Sequence, residues 1–309
     1  MAVEALARRG YDTAVHPWTD HYLARLDEAP RARFPIGPDD WRDPLGDPSR
    51  SGDWVAFFTH AVAERPWPQV VTTWWPRLLP GIAAGATHGV IRLGHALRAI
   101  RDHDTGPRRA EVAHALAYWA ARWQPVPLVV GHGTAGPDVV IATLPAVTDQ
   151  RFGIRHRLRH LDPGFVACAA AVSRPATADQ VPAALQRLVD DVLHAYPQLA
   201  HGNPTMLVHA ATAPNAVLAA LPSLPTTLWP QSFDAAWTAS AAVVAAYRPA
   251  TTAVARPGTG IDPDDVFARA AAHGGEHVVK LADTALDGYA RTGDPAAPAA
   301  VEVAVRLGA

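Results

Sequence analysis

The chain has 309 residues, 49% of them hydrophobic and 18% charged, with a formal net charge of −2. That balance suits a globular protein with a large interior and excludes the basic footprint of a nucleic-acid binder. The one cysteine, Cys168, excludes a disulfide framework and a cysteine-rich metal site, and is read as a small buried residue.

Residues 2–9 predict an amphipathic helix and lack the uninterrupted apolar stretch of a secretory signal. A second helix is expected over 17–27, where Trp18, Tyr22 and Leu26 recur at four-residue spacing. The Pro-, Gly- and Asp-dense stretch 33–52 predicts a loop, and Asp53 an N-cap for a helix over 53–64. Residues 66–81 read as a helix interrupted at Pro76 and closed by Pro80-Gly81. A long helix is expected over 82–102 and an unbroken one over 106–123, with Pro107 at its start. A proline-rich middle, 124–148, follows. Further helices are expected over 180–195, 205–222 (broken by Pro214), 232–247 (Ala-rich) and 262–292 (interrupted at Gly274-Gly275). Few stretches alternate with period two, and no apolar run is long enough to span a membrane. The expectation is a single all-α, multi-helix domain over residues 1–309, with Pro/Gly-rich loops and a cytoplasmic location.

Two motifs read as structural rather than functional. Gly131-x-Gly133-x-x-Gly136 matches a dinucleotide fingerprint, but Pro137 follows where the phosphate-binding helix should be under way, and no βαβ alternation surrounds it. A flexible loop is expected there. His156 and His160 have metal-ligand spacing, yet four arginines crowd residues 151–160 and favour a solvated basic face.

The segment 86–95, ATHGVIRLGH, carries more information. His88 and His95 lie seven residues apart on one helical face, about 10.5 Å along the axis, with Arg92 between them. They converge on one metal only if the helix bends or the side chains lean together, and Gly89 and Gly94 give room for local distortion. The alternative is a pair of satisfied buried histidines. Near the C-terminus His277 and Lys280 share a face flanked by Val278, Val279 and Leu281. A lysine in apolar surroundings tends to lose its charge, by deprotonation or as a carbamate, which is an oxygen ligand. The alternative is a surface lysine at the end of an amphipathic helix. His209 lies in a third apolar helix. Facing helices that each supply a ligand are how helical proteins assemble interior metal sites.

The blocks LPGIAAGATHGVIRLGHALRAI, EVAHALAYWAARW, VHAATAPNAVLAALP and EHVVKLADTAL occur in the order and spacing of the questin oxidase-like family, which the chain resembles along nearly its whole length. Fungal members are tied to oxidative ring opening of anthraquinones, described as NADPH-dependent Baeyer–Villiger oxidation or as iron-dependent oxygenation. The resemblance implies an oxidoreductase of secondary metabolism that uses O2 on a polycyclic phenolic or quinone substrate. His88, His95, His209, His277 and Lys280 match the family's recurrent polar positions and are the expected ligands of Fe2+. Arg92 is the expected catalytic group, steadying an enolate or phenolate. Trp74, Trp75, Trp119 and Trp123 are candidates to line a flat cavity. The alternatives are a metal-free NADPH-dependent monooxygenase and a non-catalytic protein that binds an aromatic metabolite. Family members carry an Asn-His pair just before the segment matching MAVEALARRG. The upstream reading frame is therefore expected to encode one.

Overall fold

A computed structural model describes residues 1–26, 28–251 and 262–309; residue 27, the last of the helix expected over 17–27, lies outside them. The fold is all-α, with fifteen helices and no sheet among the described residues. In chain order these are α1 (Ala2–Arg8), α2 (Asp12–Leu23), α3 (Ser51–Glu64), α4 (Trp67–Leu78), α5 (His88–Asp102), α6 (Gly106–Arg122), α7 (Pro137–Thr143), α8 (Ile154–Arg157), α9 (Pro163–Ala169), α10 (Val181–Leu199), α11 (Pro204–Ala220), α12 (Trp229–Tyr247), α13 (Pro263–His273), α14 (Glu276–Thr292) and α15 (Ala296–Leu307). No described helix is long and apolar enough to cross a membrane.

Helix α12 is the hub. It is buried continuously from Ser232 to Tyr247, as a helix apolar on every side must be. Its small alanines admit α11 closely, and α11 in turn packs on α5 and α10, while α5 leans on α6 and α6 on α3. Helix α14 closes the other side against α15, α13, α11 and α1. Helices α1, α5, α11 and α14 therefore meet.

The break expected at Pro214 does not occur: α11 runs unbroken through it. A proline withholds the amide that would bond the carbonyl four residues earlier, here that of Ala210. Ser240 Oγ of α12 donates to that carbonyl at 2.8 Å, so no buried acceptor is orphaned. Pro76 likewise lies inside α4 rather than interrupting it. Asp53 does not cap α3, which begins at Ser51. Its carboxylate instead accepts from the amides of Arg33 and Phe34 at 2.6 and 2.9 Å and pairs with Arg50.

The loop at 131–136 is pinned, contrary to the expectation of a flexible segment. His132 and Gly133 amides donate to Ala170, Ala135 donates to Ala171, and Ser173 donates back to Ala135. A Cβ on Gly133 would meet the Ala171 carbonyl oxygen at 2.0 Å, so the glycine serves close backbone approach. A helix does start at Pro137, but the sheet that a dinucleotide site needs is absent among the described residues. Cys168 is half-buried rather than interior, with Sγ 3.7 Å from Thr143 Oγ1.

Gly89 and Gly94 do not interrupt α5, which is continuous from His88 to Asp102. They let neighbouring helices touch it. A Cβ on Gly94 would lie 2.6 Å from the Ala216 carbonyl oxygen of α11, and one on Gly89 would lie 2.6 Å from Trp119 Cβ of α6. Gly94→Ala is expected to destabilise the protein by about 2 kcal/mol, because overpacking outweighs the gain in helix propensity. Gly106→Ala, with open space at its Cβ, is the control and should be neutral. Chemical denaturation of both variants checks this, and an unchanged Gly94→Ala midpoint contradicts it.

Candidate functional site

The helix expected from residue 82 starts at His88, because Gly85, Ala86 and Thr87 all take left-handed φ (57°, 55° and 61°). Two of these are not glycine, so the turn is strained, a feature typical of functional sites. The turn has a visible use. Its Gly85 carbonyl lies 2.7 Å from His88 Nδ1. A carbonyl only accepts, so Nδ1 carries the hydrogen and Nε2 keeps a lone pair. His209, fully buried on α11, is fixed in the same way by the Met206 carbonyl, 3.0 Å from its Nδ1.

These two free Nε2 atoms face each other at 3.2 Å. With both tautomers set by backbone carbonyls, no hydrogen remains to lie between them. His277 of α14 completes the group: its ring centroid is 5.6 Å from that of His88 and 5.0 Å from that of His209. The three rings offer nitrogens within 4.8 Å of one another. His277 Nε2 is buried without a hydrogen-bond partner, and so is Lys280 Nζ, one turn along α14, in a residue only 1% exposed.

The electrostatics agree. Burial, and then the Lys280 charge, lower the His88 pKa to about 4 and the His277 pKa to about 3. His209 is held well below its usual range, mainly by burial. Burial brings Lys280 down to about 8, with Glu276 opposing. Three neutral imidazoles with converging lone pairs and an unsatisfied lysine form a donor set that fits a divalent transition metal.

His95 does not join this group. Two turns along α5 from His88, His95 faces α1, where its Nδ1 sits 2.6 Å from Glu4 Oε2. Arg98 forks onto the same carboxylate and reaches Asp283 at 2.8 Å, and Arg8 and Arg9 also engage Asp283. Three guanidiniums already neutralise the carboxylates, so the Glu4–His95–Asp283 cluster is a poor place for a further cation.

A cavity of about 740 Å³ opens beside His88, His277 and Lys280. Arg92 and His95 also line it. Arg92 is not isolated: Nε and Nη2 form a two-pronged pair with Glu111 at 2.6 and 2.7 Å. Glu111, on α6, escaped the sequence reading because only the α5–α6 crossing pairs it with Arg92. The expected aromatic lining is a correction. Trp74, Trp75 and Trp119 are buried away from the cavity. Trp74 packs edge-on against Trp41, Trp54 and Phe58, while Trp75 donates to Ser232 and Trp119 to the Gly81 carbonyl. The indole N–H groups of Trp75 and Trp119 find partners inside the core, so nothing draws them to a solvent-accessible wall. Trp123 packs on Gly81 instead. The cavity's aromatic walls are Trp18 and Tyr22 of α2, stacked at 4.9 Å, and Tyr118. The four-residue spacing that predicted α2 already placed Trp18, Tyr22 and Leu26 on one face, and that face is the signal.

The segment 151–160 is more than a basic face. His156 and His160 Nε2 lie 3.1 and 3.8 Å from Asp149 Oδ2, and Arg151 forks onto the same carboxylate. Arg157 turns away to the Ala246 carbonyl and the Tyr247 ring.

Fold and site together define an all-α protein that brings three imidazoles and a buried lysine to the inner end of an aromatic-walled cavity. The family model described as Questin oxidase-like matches residues 2–138, the part of the chain over which the similarity extends. The description of that family is of oxidase-like proteins. His88, Arg92, His95 and Glu111 fall inside the matched residues, and tertiary packing adds His209, His277 and Lys280. No curated protein matches the chain.

Proposed function

We propose that the protein is a non-haem iron oxygenase that acts on a polycyclic aromatic, anthraquinone-like substrate with O2. The observation that carries this reading is the pair of carbonyl-fixed imidazoles, His88 and His209, whose free Nε2 atoms meet at 3.2 Å beside the orphaned His277 Nε2 and Lys280 Nζ. Three imidazole ligands and one oxygen ligand suit iron(II). Lys280 supplies the oxygen as a carbamate: neutral Nζ forms a bond to the carbon of CO2 and loses a proton, leaving an anionic carboxylate. Bound iron would supply the one-electron chemistry that O2 needs.

The remaining steps belong to the chain itself. Trp18, Tyr22 and Tyr118 sandwich a flat ring system and keep water from it. Arg92, oriented by Glu111, presents its remaining N–H groups to the cavity and steadies an oxyanion on the substrate. The Gly85 and Met206 carbonyls keep both imidazoles in the tautomer that binds metal.

The test is anaerobic titration of the purified protein with Fe(II), followed by O2 uptake with a hydroxyanthraquinone. One iron per chain and substrate-dependent O2 consumption are expected. Metal-free turnover driven by NADPH would overturn the reading.

A further inference from the structure

The cavity has a second polar end. His95 lies seven residues after His88 on the continuous helix α5, so the two rings line one wall about 10 Å apart, with Arg92 between them. Its chemistry differs from that of the three-histidine end. Glu4 is buried enough that burial alone would raise its pKa, but bonds from His95 and Arg98 outweigh this and hold it at about 2. Glu4 is therefore a carboxylate and accepts only. His95 Nδ1, 2.6 Å away, must carry the hydrogen it donates. That leaves the lone pair on Nε2, in a ring that lines the cavity. Burial lowers the His95 pKa, with the Glu4 bond opposing, so the ring stays neutral and its lone pair available.

At this end of the cavity Arg92 only donates and Glu111 is occupied by Arg92, whereas the other free imidazole lone pairs belong to the three-histidine end. Arg98, which shares the Glu4 carboxylate with His95, locks the carboxylate in place and also pairs with Asp283.

We propose that the Glu4–His95 pair is a recognition site for an aromatic hydroxyl, with His95 Nε2 as the acceptor and general base and Glu4 as its positioning residue. The inference rests on the reading that this cavity holds the substrate. The phenol O–H donates to Nε2. When the proton transfers, Nε2 gains it, the oxygen keeps the electron pair as a phenolate, and Glu4 balances the new imidazolium charge through Nδ1–H. A ligand about two to three fused rings long would reach from this hydroxyl site to the three-histidine end.

The experiment compares 2-naphthol with 2-methoxynaphthalene by equilibrium dialysis, under argon so that nothing turns over. It uses the protein as isolated and again after chelation. The wild type is expected to bind the naphthol about tenfold more tightly than its methyl ether, the worth of one good hydrogen bond. His95→Leu should abolish that preference, and Glu4→Gln should reduce it by releasing the tautomer. In both variants the methoxy compound should bind within about twofold of wild type, which shows that the cavity is intact. A preference that survives in His95→Leu, or binding of both compounds that falls together, overturns the proposal. Equal binding of both by wild type overturns the hydroxyl site but leaves the cavity reading standing; no binding of either overturns both. Because the chelated protein is measured too, the outcome does not depend on whether iron binds at the other end.

Discussion

His209→Ala is expected to lose more than ~100-fold in affinity for iron(II) while keeping wild-type helix content. Removing an outer hydrogen-bond partner of a metal ligand already costs 10- to 100-fold, and removing the ligand itself costs more. His209 is fully buried, and its lone pair is directed at His88 Nε2 and nowhere else. The remaining pair, His88 and His277, cannot form a three-nitrogen face. The empty protein should behave differently. Two lone pairs facing each other at 3.2 Å disfavour the metal-free fold, so the cavity left by the shorter side chain is partly offset by relief of that contact. The variant should thus fall well behind wild type in thermal stability only when iron is present. Equilibrium dialysis against Fe(II) under argon and paired melting curves measure both effects, and full iron occupancy in His209→Ala would rule out a shared site.

Lys280 should show opposite effects in the empty and loaded protein. Burial moves its pKa from the usual 10.5 to about 8, so folding disfavours its proton. Between pH 8 and 10.5 the unfolded chain binds that proton and the folded chain does not, hence stability rises with pH across that window. Below about pH 8 the full penalty is present, roughly 3 kcal/mol. In metal-free, CO2-depleted protein, Lys280→Met should remove this pH dependence and raise the melting temperature at pH 7. With iron and bicarbonate present the order should reverse. Wild type gains an oxygen ligand through the carbamate, whereas Lys280→Met and Lys280→Ala lose iron and turnover. Short carboxylic acids should partly restore the alanine variant by occupying the vacated ligand position. A Lys280→Ala protein with full iron and full turnover would refute the carbamate. No gain in stability from Lys280→Met in the empty protein would mean that the buried ammonium is not strained.

Local sequence was enough for the helical class and for most of the elements. Apolar spacing of 3.6 residues and the scarcity of period-two alternation are properties of short segments, so α1, α3, α6, α10 and α12 could be read directly. The special residues of the site were legible too, because a buried lysine beside valines and a histidine in an alanine-rich helix are anomalies within their own segments. Which of them meet was not legible. His88 and His95 share a helix and a face, yet they serve different ends of the cavity, because the partner of each comes from another element: His209 on α11 for one, Glu4 on α1 for the other. Pro214 reads as a break until Ser240, on α12, supplies the missing hydrogen bond. Trp75 and Trp119 read as a cavity lining until their N–H groups find acceptors in the core. Propensity and periodicity act over a few turns, so local sequence sets the helices and marks the chemically unusual side chains. The three-histidine group, the Arg92–Glu111 pair and the walls of the cavity come from packing. Those depend on helix crossings, and α5, α11 and α14 are brought together by the burial of surfaces far apart in the chain.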